Sequence, residues 1–587
     1  MENSDSYIFL DDQITQKTRF YTDPIDIITI YDSNSIRVAM QKLLHYHGNG
    51  YHLAGYLSYE LGMHLESKLN VLGSEISDEP LMHFGVFNSF SEHAPIDCLY
   101  TSENIDLKLK PSWTEAEYKK KFERTMTYIR QGDAYQVNLT FPMRATFKRS
   151  ARTLYSAFRS RQKGSYGGII SLTGGPEIIS HSPELFFSKF GKKMTMRPMK
   201  GTRPRAKTAE ADNKLKKNMK LDEKSQAENL MIVDLLRNDL SRISDTGSVK
   251  VPELFSLETY PTLHQMTSQV TSKLKDSQNF IDIFKGLFPC GSVTGAPKIR
   301  AMEIIKELED SDRGAYCGSI GYIEPEGAAC FNVGIRTIIL KESKLRYNVG
   351  SGLVMDSVAS DEYAECILKA DVLKKQNSEI LETFLWQPRT GIKNFSQHKK
   401  RLIKTANELK YPFKEVHFQN AIKSIKSVDK PQRVRLALNN LGEFNIQQSD
   451  YEPYQINSEV TFSLSKYPLS DKVQVTRHKV SDRNFYDGER NRIRQLTDAD
   501  EVIFLNNKNE ICEGSYTSIF IKKNGLLVTP PLSSGLLPGI LRADLLEKKQ
   551  AIEGTLTIAD IIEADDIFLG NSLRGLMKAK LLHISPL

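Results

Sequence analysis

A short polar stretch, Lys374-Lys-Gln-Asn-Ser378, separates two parts of the 587-residue chain whose apolar patterns differ. Before it, apolar residues alternate in strand-like segments over residues 315–356. After it, a helix predicted over residues 395–410 is followed by strand-like segments at 433–438, 473–476, 501–505 and 516–521. At roughly 100–200 residues per domain, this length allows more than one core. We therefore predict a large N-terminal domain, residues 1–373, and a smaller C-terminal domain, residues 379–587.

Composition argues against several classes of function. Lys and Arg number 79 against 72 Asp and Glu, and the basic residues are spread along the chain, so we expect no nucleic-acid partner. No apolar run approaches the roughly 18 residues that span a bilayer. The acidic start also lacks a basic segment followed by an apolar one, so we expect no membrane association. Six cysteines without a C-x-x-C pair indicate a reduced, cytoplasmic protein.

Two segments of the N-terminal part carry residues suited to nucleophilic and acid–base chemistry. Arg197-Pro-Met-Lys-Gly-Thr202 places Lys200 beside Gly201, where the missing side chain lets the backbone approach a ligand closely. A lysine held in a partly dry site is a nucleophile or a base. Upstream, Glu184 has apolar neighbours, and burial would keep it protonated as a general acid. Taken alone, a surface lysine in a turn and a glutamate at a strand end are the commoner explanations.

A separate set of glutamates is suited to a divalent cation. Glu362 and Glu365 are three residues apart and would share one helix face, whereas Glu228 lies in another helical segment. Carboxylates from two helices suit Mg²⁺, which is usually held by a few carboxylates together with substrate oxygens. On spacing alone, a solvated helix face is again the commoner explanation.

Taken together, these segments resemble the chorismate-binding family, which includes anthranilate synthase and aminodeoxychorismate synthase chains. The resemblance covers roughly residues 50–372. It implies a large α+β domain of two antiparallel sheets packed face to face, with helices outside. The matching segments are Gly55–Glu60, Ser182–Glu184, Pro198–Thr202, Glu228–Asp239, Leu263–His264, Gly295–Lys298, Tyr316–Tyr322, Ile335–Arg336, Gly350–Gly352 and Glu362–Glu365.

The resemblance also implies a mechanism. Lys200 would add to chorismate at C2 while Glu184 protonates the departing C4 hydroxyl, and ammonia would then attack C4 and expel the lysine. A lysine in this motif is typical of aminodeoxychorismate synthases, whereas anthranilate synthases carry a small residue there. Glu228 and Glu365 would bind Mg²⁺, with Glu362 nearby. The implied chorismate-binding residues are Gly201, Thr202, His264, Tyr316, Arg336, Gly350, Ser351 and Gly352. His264 also fits a packed position at a strand end.

The C-terminal part carries residues suited to pyridoxal phosphate. This cofactor needs a lysine that binds its aldehyde, an acidic partner for its pyridine nitrogen and donors for its phosphate. By themselves, Lys479 and Glu513 also fit a surface lysine and a turn glutamate. The order of segments over roughly residues 380–587 resembles the class IV aminotransferase family, a smaller α+β unit with the cofactor in a cleft. The implied cofactor-binding residues are Lys479, Glu513, Arg401, Gly539, Ile540 and Ser572.

The second resemblance has two departures from its family pattern. Ser518 stands where the family usually has asparagine, and the family's first strands are missing before Leu381. Cofactor binding is therefore expected more firmly than catalysis in this part of the chain.

The two resemblances point along one pathway. The first part would make 4-amino-4-deoxychorismate, and the second, with Lys479 as its catalytic residue, would cleave that compound to p-aminobenzoate and pyruvate for folate synthesis. Because no cysteine lies in a G-x-C-x-G segment, ammonia is expected from glutamine through a separate amidotransferase subunit. The class IV resemblance makes a homodimer a reasonable expectation.

The sequence alone leaves alternatives to this assignment open. The first part would make isochorismate or salicylate, with water as the nucleophile, or anthranilate, and would be joined to an unrelated or inactive pyridoxal-phosphate fold. A third alternative makes the second part a scaffold without activity, which binds the amidotransferase or stabilises a dimer. Dependence on glutamine tests the first alternative, and visible absorbance of bound cofactor tests the last.

Overall fold

The structure, a computed structural model, describes residues 6–583 except 16, 100–104, 160, 162–163, 206–208, 260–262, 374–377, 454–458 and 470–476. The chain separates into two compact units: unit 1 is residues 1–99 and 105–375, and unit 2 includes residues 376–587. Residues 374–377 of the polar stretch and the predicted strand at 473–476 lie outside the described residues.

Unit 1 contains strands and helices in the following order. Its strands are β1 (Tyr7–Asp12), β2 (Lys17–Thr22), β3 (Asp26–Ile30), β4 (His52–Leu57), β5 (Met82–Phe87), β6 (Lys110–Pro111), β7 (Gln136–Thr146), β8 (Tyr166–Ser171), β9 (Glu177–Ser182), β10 (Leu185–Phe190), β11 (Lys193–Arg197), β12 (Met199–Pro204), β13 (Lys250–Thr259), β14 (Leu263–Lys273), β15 (Gly295–Ala296), β16 (Ser319–Ile323), β17 (Ala329–Asn332), β18 (Thr337–Lys341) and β19 (Lys344–Leu353). Its α-helices are α1 (Ile36–Gly48), α2 (Leu61–Leu65), α3 (Ile96–Leu99), α4 (Glu115–Arg130), α5 (Ala151–Arg159), α6 (Ala209–Lys220), α7 (Glu223–Ile243), α8 (Phe280–Leu287), α9 (Lys298–Leu308) and α10 (Ala359–Ala370).

The described strands of unit 1 form two sheets that share a core. One has the order β15-β7-β19-β18-β9-β8-β1-β2, with β6 beside β7, and the other β12-β14-β11-β10-β17-β16-β4-β5-β3, with β13 beside β14. One buried cluster takes Phe9 and Ile179 from the first sheet and Phe84, Phe187 and Phe331 from the second. The inner faces of two sheets therefore pack against each other, as in a β-sandwich.

The spacing of apolar residues in the sequence explains why α4 is a helix. Tyr118, Phe122, Met126 and Ile129 recur at helical spacing, and all four side chains are buried. Thr114 begins the helix with a capping box, because its hydroxyl accepts from the Glu117 N–H while the Glu117 carboxylate accepts from the Thr114 N–H. The predicted helix over residues 114–131 is therefore confirmed as Glu115–Arg130.

Unit 2 is a smaller α+β arrangement. Its strands are β20 (Ile380–Gln387), β21 (Gly391–Ile392), β22 (Gln432–Leu438), β23 (Phe444–Asp450), β24 (Val460–Leu464), β25 (Glu501–Leu505), β26 (Ile511–Gly514), β27 (Ser518–Lys523), β28 (Leu526–Thr529), β29 (Ala551–Glu553), β30 (Asp566–Asn571) and β31 (Gly575–Leu581). Its α-helices are α11 (Phe395–Glu408), α12 (Glu415–Lys423), α13 (Asn484–Thr497), α14 (Ile540–Glu547) and α15 (Ile558–Ile562).

The described strands of unit 2 also form two sheets. These have the orders β21-β20-β22-β23 and β26-β25-β24-β31-β30-β27-β28-β29. Leu402 of α11 and Phe418 of α12 pack with Val434 and Leu436 of β22, so the two helices cover one face of the first sheet. The α+β prediction is confirmed for the chain. Within the residues described, no helix is both long enough and apolar enough to span a bilayer.

Candidate active sites

Glu184 lies between β9 and β10 with its side chain buried. Its N–H donates to the Ser182 hydroxyl over 3.2 Å, and its carbonyl accepts from the Val333 N–H over 3.0 Å, so the backbone is fixed from two sides. Burial raises the pKa of Glu184 to about 7, although the Ser292 hydroxyl and the charge of Lys200 both act to lower it. A carboxyl group with this pKa still holds a proton near neutral pH, as a general acid must.

Lys200 lies in β12, within the range over which its charge acts on Glu184. The register of β12 against β14 shifts between Lys200 and Thr202, and Gly201 has a φ of 62° there, in the left-handed region that glycine adopts most easily. A Cβ at Gly201 would lie 3.1 Å from Oγ of Ser225 in α7. The charge of Lys200 is near enough to act on the pKa of Glu184. The structure thus brings together the two residues predicted to be catalytic.

Sequence reasoning missed Ser292, whose hydroxyl donates to Glu184 Oε1 over 2.7 Å. Cys290 Sγ lies 3.2 Å from the Ser292 hydroxyl. The signal available in the sequence was the glycine-bounded turn Gly291-Ser-Val-Thr-Gly295, which lacks the Lys-Ser/Thr ending of a phosphate loop. The polar side chain of this turn, Ser292, hydrogen-bonds to the buried carboxylate of Glu184.

Arg313 supports the turn that carries Ser292. Its guanidinium is buried and donates to the carbonyl of Val293 over 2.9 Å and to the carbonyl of Asn138 over 2.6 Å. Glu309 binds the same guanidinium over 2.6 Å. The charge of Arg313 is paired with Glu309, and its N–H groups donate to backbone carbonyls. The buried guanidinium therefore holds the backbone next to Ser292 in place.

The residues predicted to bind the carboxylates of chorismate lie in the segment before β16, in the loop before β18 and on β19. Tyr316 is buried. Arg336 has a φ of 54°, and its carbonyl accepts from the His181 N–H over 3.1 Å. Gly350, Ser351 and Gly352 pair with Thr140, Leu139 and Asn138 of β7. A Cβ at Gly350 would lie 2.6 Å from the Leu139 carbonyl, so only glycine permits this approach of the strands.

His264, on β14, is fully buried, and its ring nitrogens have partners inside the protein. Nε2 lies 2.9 Å from Asp212 Oδ1, and Nδ1 lies 3.1 Å from the Thr259 hydroxyl. The predicted contact of His264 with the substrate ring stays a prediction, because its polar atoms are used in packing the strand end.

The three glutamates predicted to bind Mg²⁺ lie on two helices, Glu228 on α7 and Glu362 and Glu365 on α10. Glu362 accepts from the Ser357 hydroxyl over 2.7 Å, and Glu365 pairs with Lys369 over 2.7 Å. In the described part of the chain, no three His, Cys, Asp or Glu side chains are arranged to hold a metal ion. These residues therefore do not form a ready metal centre, and the magnesium assignment stays a prediction.

Unit 2 contains a cavity of about 620 Å³, and Lys479 and Glu513 both line it. Burial and the charge of Arg401 lower the pKa of Lys479 to about 7. The Leu381 N–H donates to the Lys479 carbonyl over 2.7 Å, and the Ser481 N–H donates to the Glu379 carbonyl over 2.8 Å. The segment that carries Lys479 is therefore hydrogen-bonded to the beginning of β20.

Glu513, at the end of β26, is buried with both carboxylate oxygens hydrogen-bonded. The Tyr486 hydroxyl donates to Oε1 over 2.6 Å, and the Leu537 N–H donates to Oε2 over 3.2 Å. Burial raises the pKa of Glu513 to about 7. Its hydrogen bonds hold this acidic group at the cavity wall in one orientation.

Arg401 of α11 is held by a buried carboxylate that sequence reasoning missed. Glu382 accepts from Arg401 Nε over 2.8 Å and from Nη2 over 2.7 Å, and it accepts from His398 Nδ1 over 2.7 Å. Burial alone would raise the pKa of Glu382, but the charge of Arg401 and these hydrogen bonds outweigh it and lower the pKa to about 2. Arg401 also donates to the Pro538 carbonyl over 2.9 Å.

The remaining predicted cofactor residues, Gly539, Ile540 and Ser572, also line the cavity. Gly539 is the N-cap of α14 and offers no side chain to the first N–H groups of that helix. A Cβ at Gly539 would lie 2.5 Å from Oγ of Ser518, so the serine hydroxyl lies directly against the helix start. A lysine, a buried acid, an arginine and an uncapped helix start fit pyridoxal phosphate.

Comparisons with known proteins agree with both resemblances. Residues 5–375 match the family model described as chorismate binding enzyme, and residues 379–582 match the one described as amino-transferase class IV. The resemblances predicted from the sequence are therefore confirmed.

Similar proteins extend this comparison for unit 1. An aminodeoxychorismate synthase component 1 from Escherichia coli is 33% identical over 385 residues, which are 62% of this chain and 84% of that protein. Its counterpart from Salmonella typhimurium is 39% identical over 268 residues, which are 45% of this chain and 59% of that protein. A crystal structure of anthranilate synthase component I from Streptococcus pneumoniae has a TM-score of 0.53 at 27% identity, over 64% of this chain and 93% of that one.

Proposed function

The chain belongs to the chorismate-binding enzyme family, and on that basis we propose that unit 1 converts chorismate and ammonia to 4-amino-4-deoxychorismate. The observation that carries this proposal is the proximity of Lys200 to the buried Glu184, whose pKa is raised to about 7. Relatives named aminodeoxychorismate synthase component 1 support the same assignment.

The proposed reaction consists of two displacements on the chorismate ring. The Lys200 amine attacks C2, the ring double bonds shift, and the C4 oxygen leaves as water after Glu184 donates a proton. Ammonia then attacks C4, the double bonds shift back, and the bond between C2 and the lysine nitrogen breaks. Splitting one difficult substitution into two steps is the advantage of a covalent nucleophile.

Ser292 orients the acid for this reaction. Because its hydroxyl donates to Oε1 of Glu184, the transferable proton is directed to Oε2. Arg313 holds the backbone beside Ser292, so the acid is oriented by a rigid support.

For unit 2 we propose cleavage of the aminated product to p-aminobenzoate and pyruvate. When bound, pyridoxal phosphate supplies an electron sink for bond cleavage beside an amine. Lys479 would hold the cofactor and, with a pKa of about 7, exchange protons near neutral pH. Glu513 would hold a proton at the pyridine nitrogen, and Arg401 with the start of α14 would bind the phosphate.

The chain would work with a separate glutamine amidotransferase subunit. Burial raises the pKa of Cys98, Cys290, Cys317, Cys330 and Cys366 to about 12, which suppresses the thiolate that glutamine hydrolysis requires. Together the two units would supply p-aminobenzoate for folate synthesis, in a reducing cytoplasm that keeps thiols free. A homodimer is proposed from the class IV family alone.

The test is a single assay with product identification. The purified chain is incubated with chorismate, ammonia and Mg²⁺, with and without pyridoxal phosphate, and the products are identified by mass. We expect 4-amino-4-deoxychorismate without the cofactor and p-aminobenzoate with it. Formation of isochorismate, salicylate or anthranilate would contradict the proposal for unit 1.

A further inference from the structure

Tyr486 of α13 is a buried side chain whose hydroxyl is directed at Glu513. Only 2% of Tyr486 is exposed, and its hydroxyl donates to Oε1 of Glu513 over 2.6 Å. The Tyr486 ring meets the Phe504 ring edge-on with the two centroids 5.2 Å apart, and the guanidinium carbon of Arg483 lies 5.0 Å from the Tyr486 centroid. These contacts on the ring fix the direction in which the hydroxyl points.

The Tyr486 hydroxyl remains a hydrogen-bond donor at neutral pH and well above it. Burial raises the pKa of Tyr486 far above its usual value, and the negative charge of Glu513 adds to this effect. A protonated phenol has one proton to donate, and here Glu513 accepts it. Because a hydrogen bond to a carboxylate favours the charged form, Tyr486 opposes the burial that favours a neutral Glu513.

Glu513 accepts hydrogen bonds but has no paired cation among the residues described. Its second oxygen accepts from the Leu537 N–H over 3.2 Å, which is again an uncharged donor. The charge of Arg483 helps to lower the pKa of Glu513, but the Arg483 guanidinium donates to the Ser515 carbonyl and forms no ion pair with Glu513. The negative charge of Glu513 is therefore available to a cation from outside the protein, such as a protonated pyridine nitrogen.

We propose that Tyr486 is a positioning residue that keeps Glu513 ionised, so that the proton between Glu513 and the pyridine nitrogen stays on the nitrogen. Without this hydrogen bond the proton would pass from the nitrogen to the carboxylate, and the ring would lose its positive charge. A charged ring attracts electrons more strongly, so Tyr486 supports the electron sink that the cofactor supplies. This inference rests on the proposed function for the binding of pyridoxal phosphate, but it holds for any amine that reacts there.

The test follows the visible absorbance of pyridoxal phosphate bound to the full chain as the pH is varied. This absorbance changes when the nitrogen that joins the cofactor to Lys479 loses its proton. A positive charge on the ring disfavours a second positive charge nearby, so loss of the ring charge lets that nitrogen keep its proton to higher pH. We expect Tyr486→Phe to raise the midpoint of this transition by about one pH unit, the equivalent of one hydrogen bond to a charged group.

Two further variants distinguish this role from a merely structural one. Tyr467→Phe, outside the cavity lining, is the matched control and should keep the wild-type midpoint. In a chain that already carries Glu513→Gln, adding Tyr486→Phe should leave the midpoint where it is, because the carboxylate on which Tyr486 acts is gone. An unchanged midpoint in Tyr486→Phe, or an equal shift in the Glu513→Gln background, overturns the inference.

The remaining outcomes separate this inference from the proposed reaction. If Tyr486→Phe shifts the midpoint but no p-aminobenzoate forms, the proposed cleavage fails while the inference stands. A wild-type chain that binds no pyridoxal phosphate overturns both. If Tyr486→Phe does not fold, the wild-type chain is loaded with the cofactor analogue that has carbon in place of the ring nitrogen. Its midpoint should then lie above that of the natural cofactor, and equal midpoints overturn the inference.

Discussion

The Ser292 hydroxyl donates a hydrogen bond of 2.7 Å to Oε1 of Glu184, from a turn 108 residues further along the chain. A hydrogen bond donated to a carboxylate favours its charged form, whereas burial favours the neutral form. The pKa of about 7 for Glu184 is the result of these opposing effects, in which burial is the larger.

Replacing Ser292 with alanine should raise the pKa of Glu184 by about one unit, because the charged form loses a hydrogen bond worth roughly 1.5 kcal/mol. Glu184 would then stay protonated to higher pH. The pH at which amination declines should rise accordingly, measured at a fixed concentration of free ammonia. Ser241→Ala, at an exposed site, is the control, and an identical decline in both variants would contradict the role of Ser292.

Replacing Lys200 with alanine should abolish ammonia-dependent amination while the chain stays folded. The reason is that the proposed route has no other nucleophile at C2 of chorismate. Turnover and thermal unfolding of the variant are compared with those of Lys193→Ala, an exposed residue on neighbouring β11. Near-normal turnover in Lys200→Ala would remove the covalent role.

Replacing Lys479 with alanine should stop formation of p-aminobenzoate and leave 4-amino-4-deoxychorismate to accumulate. The two proposed reactions use separate lysines, Lys200 and Lys479, so this loss should not affect amination. Both products are quantified by mass, with Lys508→Ala in an exposed turn as the control. Release of p-aminobenzoate at the normal rate would show that unit 2 is not the lyase.

Replacing Glu382 with glutamine should destabilise unit 2 by roughly 3–5 kcal/mol, because Arg401 would be left buried without its counter-charge. The depressed pKa of about 2 means that Glu382 adds stability above its unfolded-state pKa and that this contribution is lost as the pH falls towards 2. Urea unfolding of the full chain, followed by cofactor absorbance, measures the effect at several pH values. Glu415→Gln on exposed α12 is the control, and equal unfolding of both variants would argue against this pair.

The purified chain should use ammonia but not glutamine. Five of its six cysteines are buried, and none lies in G-x-C-x-G, so a glutamine-hydrolysing thiolate is not expected. Product formation from glutamine is measured without and with an added amidotransferase subunit. Full activity with glutamine from the chain alone would make the partner unnecessary.

Local patterns in the sequence determined much of the fold and part of each site. The spacing of Tyr118 and Phe122 predicted α4. The class IV resemblance predicted that Lys479 and Glu513 would share a cofactor cleft, and both line one cavity. Ser292 was not predictable, because its partner Glu184 is distant in sequence and meets it only through sheet packing. Glu382 was not predictable either, because its partners Arg401 and His398 meet it only when α11 packs on β20.

The hydrogen bonds between the Lys479 segment and the beginning of β20 limit where the chain can be truncated without removing a support of Lys479. Glu379, just before β20, and Leu381, within it, hydrogen-bond directly to the backbone of Ser481 and Lys479. A cut that removed residues up to Thr383 would leave every proposed cofactor residue in place yet take away the strand that supports Lys479. An independent C-terminal enzyme would therefore have to begin before Glu379, because a later start removes backbone and side-chain hydrogen bonds to the segment that carries Lys479.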